Sequence, residues 1–141
     1  GMNPNDWKAK RCDQYLAAID KIQSKGVTVN GCFVLGLDNH TTDIFEQVSR
    51  FAEDSELIEV QITVMTPFPG TPLYARLHRE GRLLRDEFWD RCTLFDVNYR
   101  PKNMSVEELE EGIMWLFQEL YNEPAFLKRK RHYMEIVKSR L

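Results

Sequence analysis

Two short segments combine residues that could hold a ligand. Gly36 closes an apolar run and is followed by the polar turn Leu37-Asp38-Asn39-His40, after which a helical pattern begins. A helix N-terminus offers free N–H groups and positive potential, so a carboxylate or other anion would be held there. A glycine at the strand end would let that ligand approach the backbone closely. Taken alone, such a glycine more often does no more than permit the turn. His40 likewise reads as a solvent-facing turn residue before it reads as a ligand-facing one. The second segment, Thr66-Pro67-Phe68-Pro69-Gly70-Thr71-Pro72-Leu73-Tyr74, follows the strand-like stretch Leu57 to Met65. Its prolines make a stiff loop with few N–H donors. Thr71 and Pro72 then supply an N-cap and a first helical residue. A rigid loop at the C-terminal end of a strand is where α/β folds bind ligands; the competing reading is that Pro67 and Pro69 only steer the chain.

The rest of the chain holds no catalytic constellation: no Ser-His-Asp set, phosphate loop or His-x-x-x-His pair. Glu107, Glu108, Glu110 and Glu111 open a helix, where negative charge suits the dipole. Cys12, Cys32 and Cys92 are odd in number and widely spaced. That pattern predicts reduced thiols in a cytoplasmic protein, and neither a disulfide framework nor a metal site. No catalytic residue and no metal ligand is therefore assigned.

The elements that must position the two segments follow from periodicity. Tyr15, Leu16, Ile19 and Ile22 recur at helical spacing from about Asp6 to Lys25, and Gly26 sits where a helix ends. Val27 to Gly36 is β-branched and then continuously apolar, which predicts a buried strand of the parallel type. Thr41 or Thr42 can cap the next helix, which carries Ile44, Phe45, Val48, Phe51 and Ala52 on one face. A strand from Leu57 to Met65, alternating less cleanly, and a helix from Pro72 to about His78 complete an α/β pattern of parallel strands and crossover helices. Both special strand ends then lie on one sheet edge, and together they argue for a site better than either alone.

Beyond Gly81 no further strand is predicted. Asp86 to Thr93 reads as a short helix and Leu94 to Pro101 as extended or looped. Ser105 and Glu108 form a capping box, with Met104 able to staple onto Leu109. The helix they open carries Ile113, Leu116, Phe117 and Leu120. A last helix opens at Pro124 and bears Phe126, Met134, Val137 and Leu141. Trp7, Trp89 and Trp115 fall on separate elements, and core packing is expected of them.

With 141 residues, 43% hydrophobic and 29% charged, the chain suits one domain or a piece of a larger protein. A formal charge of −3 gives no reason to expect nucleic acid. The basic run from Lys128 to His132 reads as the solvated face of a terminal helix. No stretch is long and apolar enough for a membrane span, and no membrane partner is expected. Gly1 before Met2 reads as a tag-cleavage remnant.

Gly26-Val27-Thr28-Val29-Asn30-Gly31-Cys32-Phe33-Val34-Leu35-Gly36-Leu37-Asp38, followed by Pro67-Phe68-Pro69-Gly70-Thr71-Pro72-Leu73-Tyr74, closely resembles radical SAM enzymes. The nearest branch is the one that usually carries an N-terminal cobalamin-binding domain. Arg100-Pro101-Lys102-Asn103-Met104-Ser105 and the helix after it are similar to that branch's helical C-terminal extension. The resemblance implies an α/β fold: residues 1–81 as the C-terminal portion of a (β/α) partial barrel, with its fifth and sixth strands near 27–36 and 57–65. Residues 82–141 would be an all-helical extension. It further implies that Val34 and Gly36 line an adenosine pocket and that Met65, Thr66 and Pro67 lie beside the adenine. The parent enzyme would use S-adenosylmethionine and a [4Fe-4S] cluster, with cobalamin left open, to generate a 5′-deoxyadenosyl radical.

The family's Cys-x-x-x-Cys-x-x-Cys motif is absent, and the acidic turn residue after the fifth-strand glycine is replaced by Leu37-Asp38-Asn39-His40. Without three thiolates on one loop no such cluster is held, so no cofactor is expected in this chain alone and no radical chemistry from it. The expected partners are the remainder of the barrel and, through an exposed sheet edge, a second copy of the chain. A non-catalytic binding or assembly module on the same half-barrel is the alternative, and a helical adaptor built after Gly81 is a weaker third reading.

Overall fold

Residues 12–138 are described by the structure, a computed structural model. The expectations for Gly1, Met2, Trp7, Leu141 and the helix start near Asp6 lie outside them. In chain order the elements are α1 (Cys12–Gln23), β1 (Asn30–Leu35), α2 (Ile44–Asp54), β2 (Glu59–Val64), α3 (Pro72–Arg79), a 3₁₀ turn (Trp89–Arg91), α4 (Val106–Tyr121) and α5 (Glu123–Lys138). β1 and β2 pair in parallel, from Asn30 opposite Glu59 to Leu35 opposite Val64, with α2 as the crossover.

The sheet is covered on one face. Leu35, Val60, Ile62 and Val64 point into a buried cluster with Phe45, Val48 and Ala52 of α2, and with Leu109, Ile113, Leu116 and Leu120 of α4. The opposite face carries Asn30, Cys32, Val34, Glu59, Gln61 and Thr63, and five of these six are exposed. β1 is thus not the wholly buried strand expected, because helices pack on one side of it alone. β2, by contrast, alternates buried and open positions cleanly.

Helices α2 and α4 pack closely at Gly112 of α4. A Cβ there would come within 2.1 Å of the Phe45 ring, so α2 and α4 meet where a side chain is missing. The α4 start is the predicted capping box, with Glu108 N–H donating to the Ser105 hydroxyl and Ser105 N–H to the Glu108 carboxylate. The α2 start differs from expectation. Its N-cap is Asp43, without a side-chain cap, because the Thr41 hydroxyl and the Gln47 amide both bond the Asp43 carboxylate. In α1 the inward residues are Leu16, Ile19 and Gln23, while Tyr15 and Ile22 are exposed. Buried Gln23 donates to Glu56 O at 3.1 Å and accepts from Ile58 N–H at 3.3 Å, so both ends of its amide are bonded.

After Gly81 the chain forms a 3₁₀ turn where a short helix was expected, and Leu83 bridges Tyr99 antiparallel. Phe88, Val97 and Tyr99 are buried. Trp89 and Trp115 are exposed and so are not core residues: both lie one position off a buried neighbour, Phe88 and Leu116. In α5 no residue is buried, and Phe126 and Met134 face outward. Charged contacts from α5 reach the α2 side, Lys128 to Glu53 at 2.6 Å and His132 to Glu56 at 3.6 Å.

Candidate functional site

The two strand ends lie side by side. Leu35 is opposite Val64, and the pairing continues one residue further as Met65 N–H donates to Leu35 O at 2.9 Å. Gly36 is therefore adjacent to Met65, Thr66 and Pro67, and all four are buried. Val34 stands one step below this edge on the uncovered face and is 46% exposed. Successive residues of a strand alternate in the direction of their N–H groups. Since the Met65 N–H points to β1, those of Val64 and Thr66 point away from it. Val64 N–H finds Leu94 O at 2.7 Å. Thr66 N–H has no partner among the described residues, although the residue is 8% exposed and its hydroxyl donates to Val64 O at 3.1 Å. A buried unpaired N–H is rare, and it marks a place where an acceptor would be held.

The loop beyond is closed on itself. Thr71 N–H and hydroxyl both donate to Phe68 O, at 3.1 and 2.7 Å. The same hydroxyl accepts from Tyr74 N–H at 3.3 Å, so the predicted cap with Pro72 at the first turn is present.

The turn after β1 is held by residues from the far end of the chain. Gly36 has φ +83°, and the fully buried Tyr99 donates its hydroxyl to Gly36 O at 2.6 Å. Burial raises the Tyr99 pKa well above its ordinary value. The close approach that Gly36 permits is thus made by a tyrosine. Asp38 is the hub of an ion network: Arg76 reaches it at 2.8 Å, Arg82 at 2.9 Å and Lys102 at 4.0 Å. Asn103 Nδ2 donates to Asp38 O at 2.9 Å. Burial works to raise the Asp38 pKa, but the hydrogen bond and charge of Arg82, with Arg76 and Lys102, hold it below the usual carboxylate range. Arg82 also bonds Glu80 and lies 6.0 Å from the Tyr99 ring centroid. His40 is half-buried instead of solvent-facing. Its covered Nδ1 has no partner among the described residues, and burial lowers its pKa.

Among the described residues no group of three or more His, Cys, Asp or Glu side chains could hold a metal, and Cys32 and Cys92 are free thiols. No group of described residues could hold a [4Fe-4S] cluster.

The profile described as Domain of unknown function (DUF4070) matches residues 71–141, half of the chain. The chain belongs to the DUF4070 family. Bacteriochlorophyllide d C-12(1)-methyltransferase of Chlorobaculum tepidum is 25% identical over 133 residues, covering 91% of this chain and 28% of that protein. Hopanoid C-2 methylase of Rhodopseudomonas palustris is 38% identical over 72 residues, 51% of this chain and 14% of the relative. The anaerobic magnesium-protoporphyrin IX monomethyl ester cyclase of Cereibacter sphaeroides is 26% identical over 108 residues, 77% of this chain and 17% of the relative. These matches bear out the kinship with radical SAM enzymes read from the motifs. This DUF4070 chain spans between 14% and 28% of the length of these relatives.

The DUF4070 match begins at Thr71, on the cap of α3, and takes in Arg76, Arg82, Tyr99, Lys102 and Asn103, the groups that hold the turn of Gly36 and Asp38. None of these was singled out as a site residue from the sequence. The one available signal was the motif-like run Arg100 to Ser105, which here lies against the end of β1.

Proposed function

We propose that this chain supplies the adenosine-side wall and a helical cover of a radical SAM enzyme. β1 and β2 are taken as the fifth and sixth strands of its (β/α) partial barrel, residues 1–81 as barrel and 82–141 as cover. Val34, Gly36, Met65, Thr66 and Pro67 are the wall residues. The observation that carries this reading is the N–H of buried Thr66, without a partner among the described residues, at the C-terminal edge of the sheet, above a face left open by the helices. In the intact enzyme a cluster held by residues outside this chain would supply an electron to S-adenosylmethionine. The residues described here bind and orient the adenosine and exclude water from one side of it. The relatives are named for methyl transfer and ring closure, and the whole protein is proposed to do chemistry of this kind.

The deciding observation is the coding sequence immediately upstream of the Met2 codon. A Cys-x-x-x-Cys-x-x-Cys motif in frame there supports the enzyme reading. Its absence favours the second reading, a non-catalytic assembly module, which the missing thiolates of this chain support. The chain by itself is expected to show no tight binding of S-adenosylmethionine in isothermal calorimetry, since half of the pocket is missing; micromolar affinity would refute that.

The second edge of β1 has no strand beside it among the described residues, and Cys32 and Val34 stand on the uncovered face. Such an edge pairs with whatever strand is available. The isolated chain is expected to self-associate at high concentration in light scattering, and a strict monomer would count against the missing-strand picture.

A further inference from the structure

Between α5 and the helices beneath it lies a cleft of about 260 Å³, lined from α2, α4 and the first turns of α5. It exists because α5 buries no residue of its own. The helix is held off α2 by long charged side chains, Lys128 on Glu53 and His132 on Glu56, where interlocking apolar ones would have closed the gap. As the crossover between parallel strands, α2 runs back along the sheet, so its last turn, which carries Glu53, lies at the N-terminal end of the strands. The cleft is thus at the opposite end of the sheet from Gly36 and Thr66, and it shares no residue with that edge.

The charges of the cleft are arranged with a cation as the inner group. Arg129 is half-buried, and its covered Nε has no partner among the described residues. No carboxylate there neutralises it, whereas the other two basic side chains of the cleft, Lys128 and His132, each face one. Burial lowers the Arg129 pKa, and the neighbouring Tyr121 hydroxyl is already committed to Val60 O. A covered donor on an unneutralised guanidinium is costly to leave without an acceptor. The acids point the other way: the Glu53 and Glu56 side chains are 67% and 55% exposed, and Glu119 is exposed as well. Ala52, Leu120 and Pro124 supply an apolar wall.

We infer that this cleft binds a small aliphatic monocarboxylate, its head on Arg129 and its chain against the apolar wall. A planar guanidinium pairs a carboxylate through two parallel hydrogen bonds. The volume is below the roughly 300–1,000 Å³ of pockets that take drug-sized ligands, too small for a nucleotide. The three glutamates at the mouth disfavour a dianion such as phosphate. When occupied, the cleft ties α5 to α2 and α4 as an accessory site remote from the strand ends. The inference stands independently of the adenosine-side reading, which the upstream coding sequence decides.

The test is an NMR titration of the isotope-labelled full chain with hexanoate, with hexanol and inorganic phosphate as comparisons. Saturable shifts of the Ala52 and Ala125 amide signals are expected with hexanoate, at about tenfold lower concentration than with either comparison. Arg129→Gln should weaken binding about tenfold. Ala125→Leu, which fills the cleft and leaves every charge in place, should weaken it similarly. Lys130→Gln removes an exposed cation of α5 outside the cleft and should leave binding unchanged. None of the three residues is buried, so an unaltered circular dichroism spectrum is expected for each variant; should Ala125→Leu alter it, the other two variants decide. Absence of saturable binding, or unchanged binding by Arg129→Gln, overturns the site. So does a loss in Lys130→Gln as large as that in Arg129→Gln, which would reveal diffuse attraction to a basic helix. Equal or tighter binding of phosphate or hexanol overturns the ligand class.

Discussion

Replacing Gly36 with alanine is expected to remove about 3–5 kcal/mol of stability, a large share of the roughly 5–15 kcal/mol available to a domain. Two effects combine. The residue sits at φ +83°, where an L side chain is strained. The added Cβ would also lie 2.1 Å from the Tyr99 hydroxyl oxygen and 3.0 Å from Leu109 Cδ2. Neither neighbour can retreat, because Tyr99 and Leu109 are fully buried. Urea unfolding followed by circular dichroism measures the loss, and a change below about 1 kcal/mol would contradict the tight contact. Tyr99→Phe isolates the hydroxyl. Alone it should cost about 1–2 kcal/mol, by leaving the buried Gly36 carbonyl unpaired. Combined with Gly36→Ala it should be less damaging than the sum of the two, since it removes the clashing atom.

Asp38→Ala is expected to cost about 3 kcal/mol. Arg82 would keep its charge at 12% side-chain exposure with Glu80 as its remaining carboxylate partner. Arg76 is about a third exposed and adds less. The same network has a signature in acid. The folded-state pKa of Asp38 lies below its unfolded value of 3.8. Its contribution is therefore fully present above about pH 4 and is lost as the pH falls through the folded value. Thermal unfolding of Asp38→Asn compared with the natural chain should show a gap that is widest near neutrality and narrows below pH 4. A gap that widens in acid would reverse the assigned sign.

How much of this was legible depended on the range of the interaction. The parallel pairing of β1 and β2, the Thr71–Pro72 start of α3 and the Ser105–Glu108 box are written in residues a few positions apart, and each appears where periodicity and capping place it. The adjacency of Gly36 and Met65 to Pro67 followed from strand direction alone. Tyr99, Arg82 and Asn103 were not legible as partners of Gly36 and Asp38, because nothing local distinguishes a tyrosine that crosses the fold from one that does not. The uncovered face of β1 was misread for a related reason. Cys32, Val34 and Leu35 are all apolar, so hydrophobicity could not tell the face packed on helices from the face left open. Thr41 and Thr42 lost the α2 cap to Asp43 through a competing side-chain bond that a capping preference does not anticipate.

The hydrogen bond from Tyr99 to Gly36 spans 63 residues of chain, and that separation sets an order of events during synthesis. At roughly 5–20 residues per second, about 3–13 s separate the translation of the strand end from that of the tyrosine that locks it. β1, α2 and β2 can pair in that interval, but the turn at Gly36 and Asp38 has none of Arg76, Arg82, Tyr99 or Asn103 to hold it at first. The C-terminal edge of the sheet is thus the last part of the βαβ unit to become rigid, and it does so when the C-terminal segment docks.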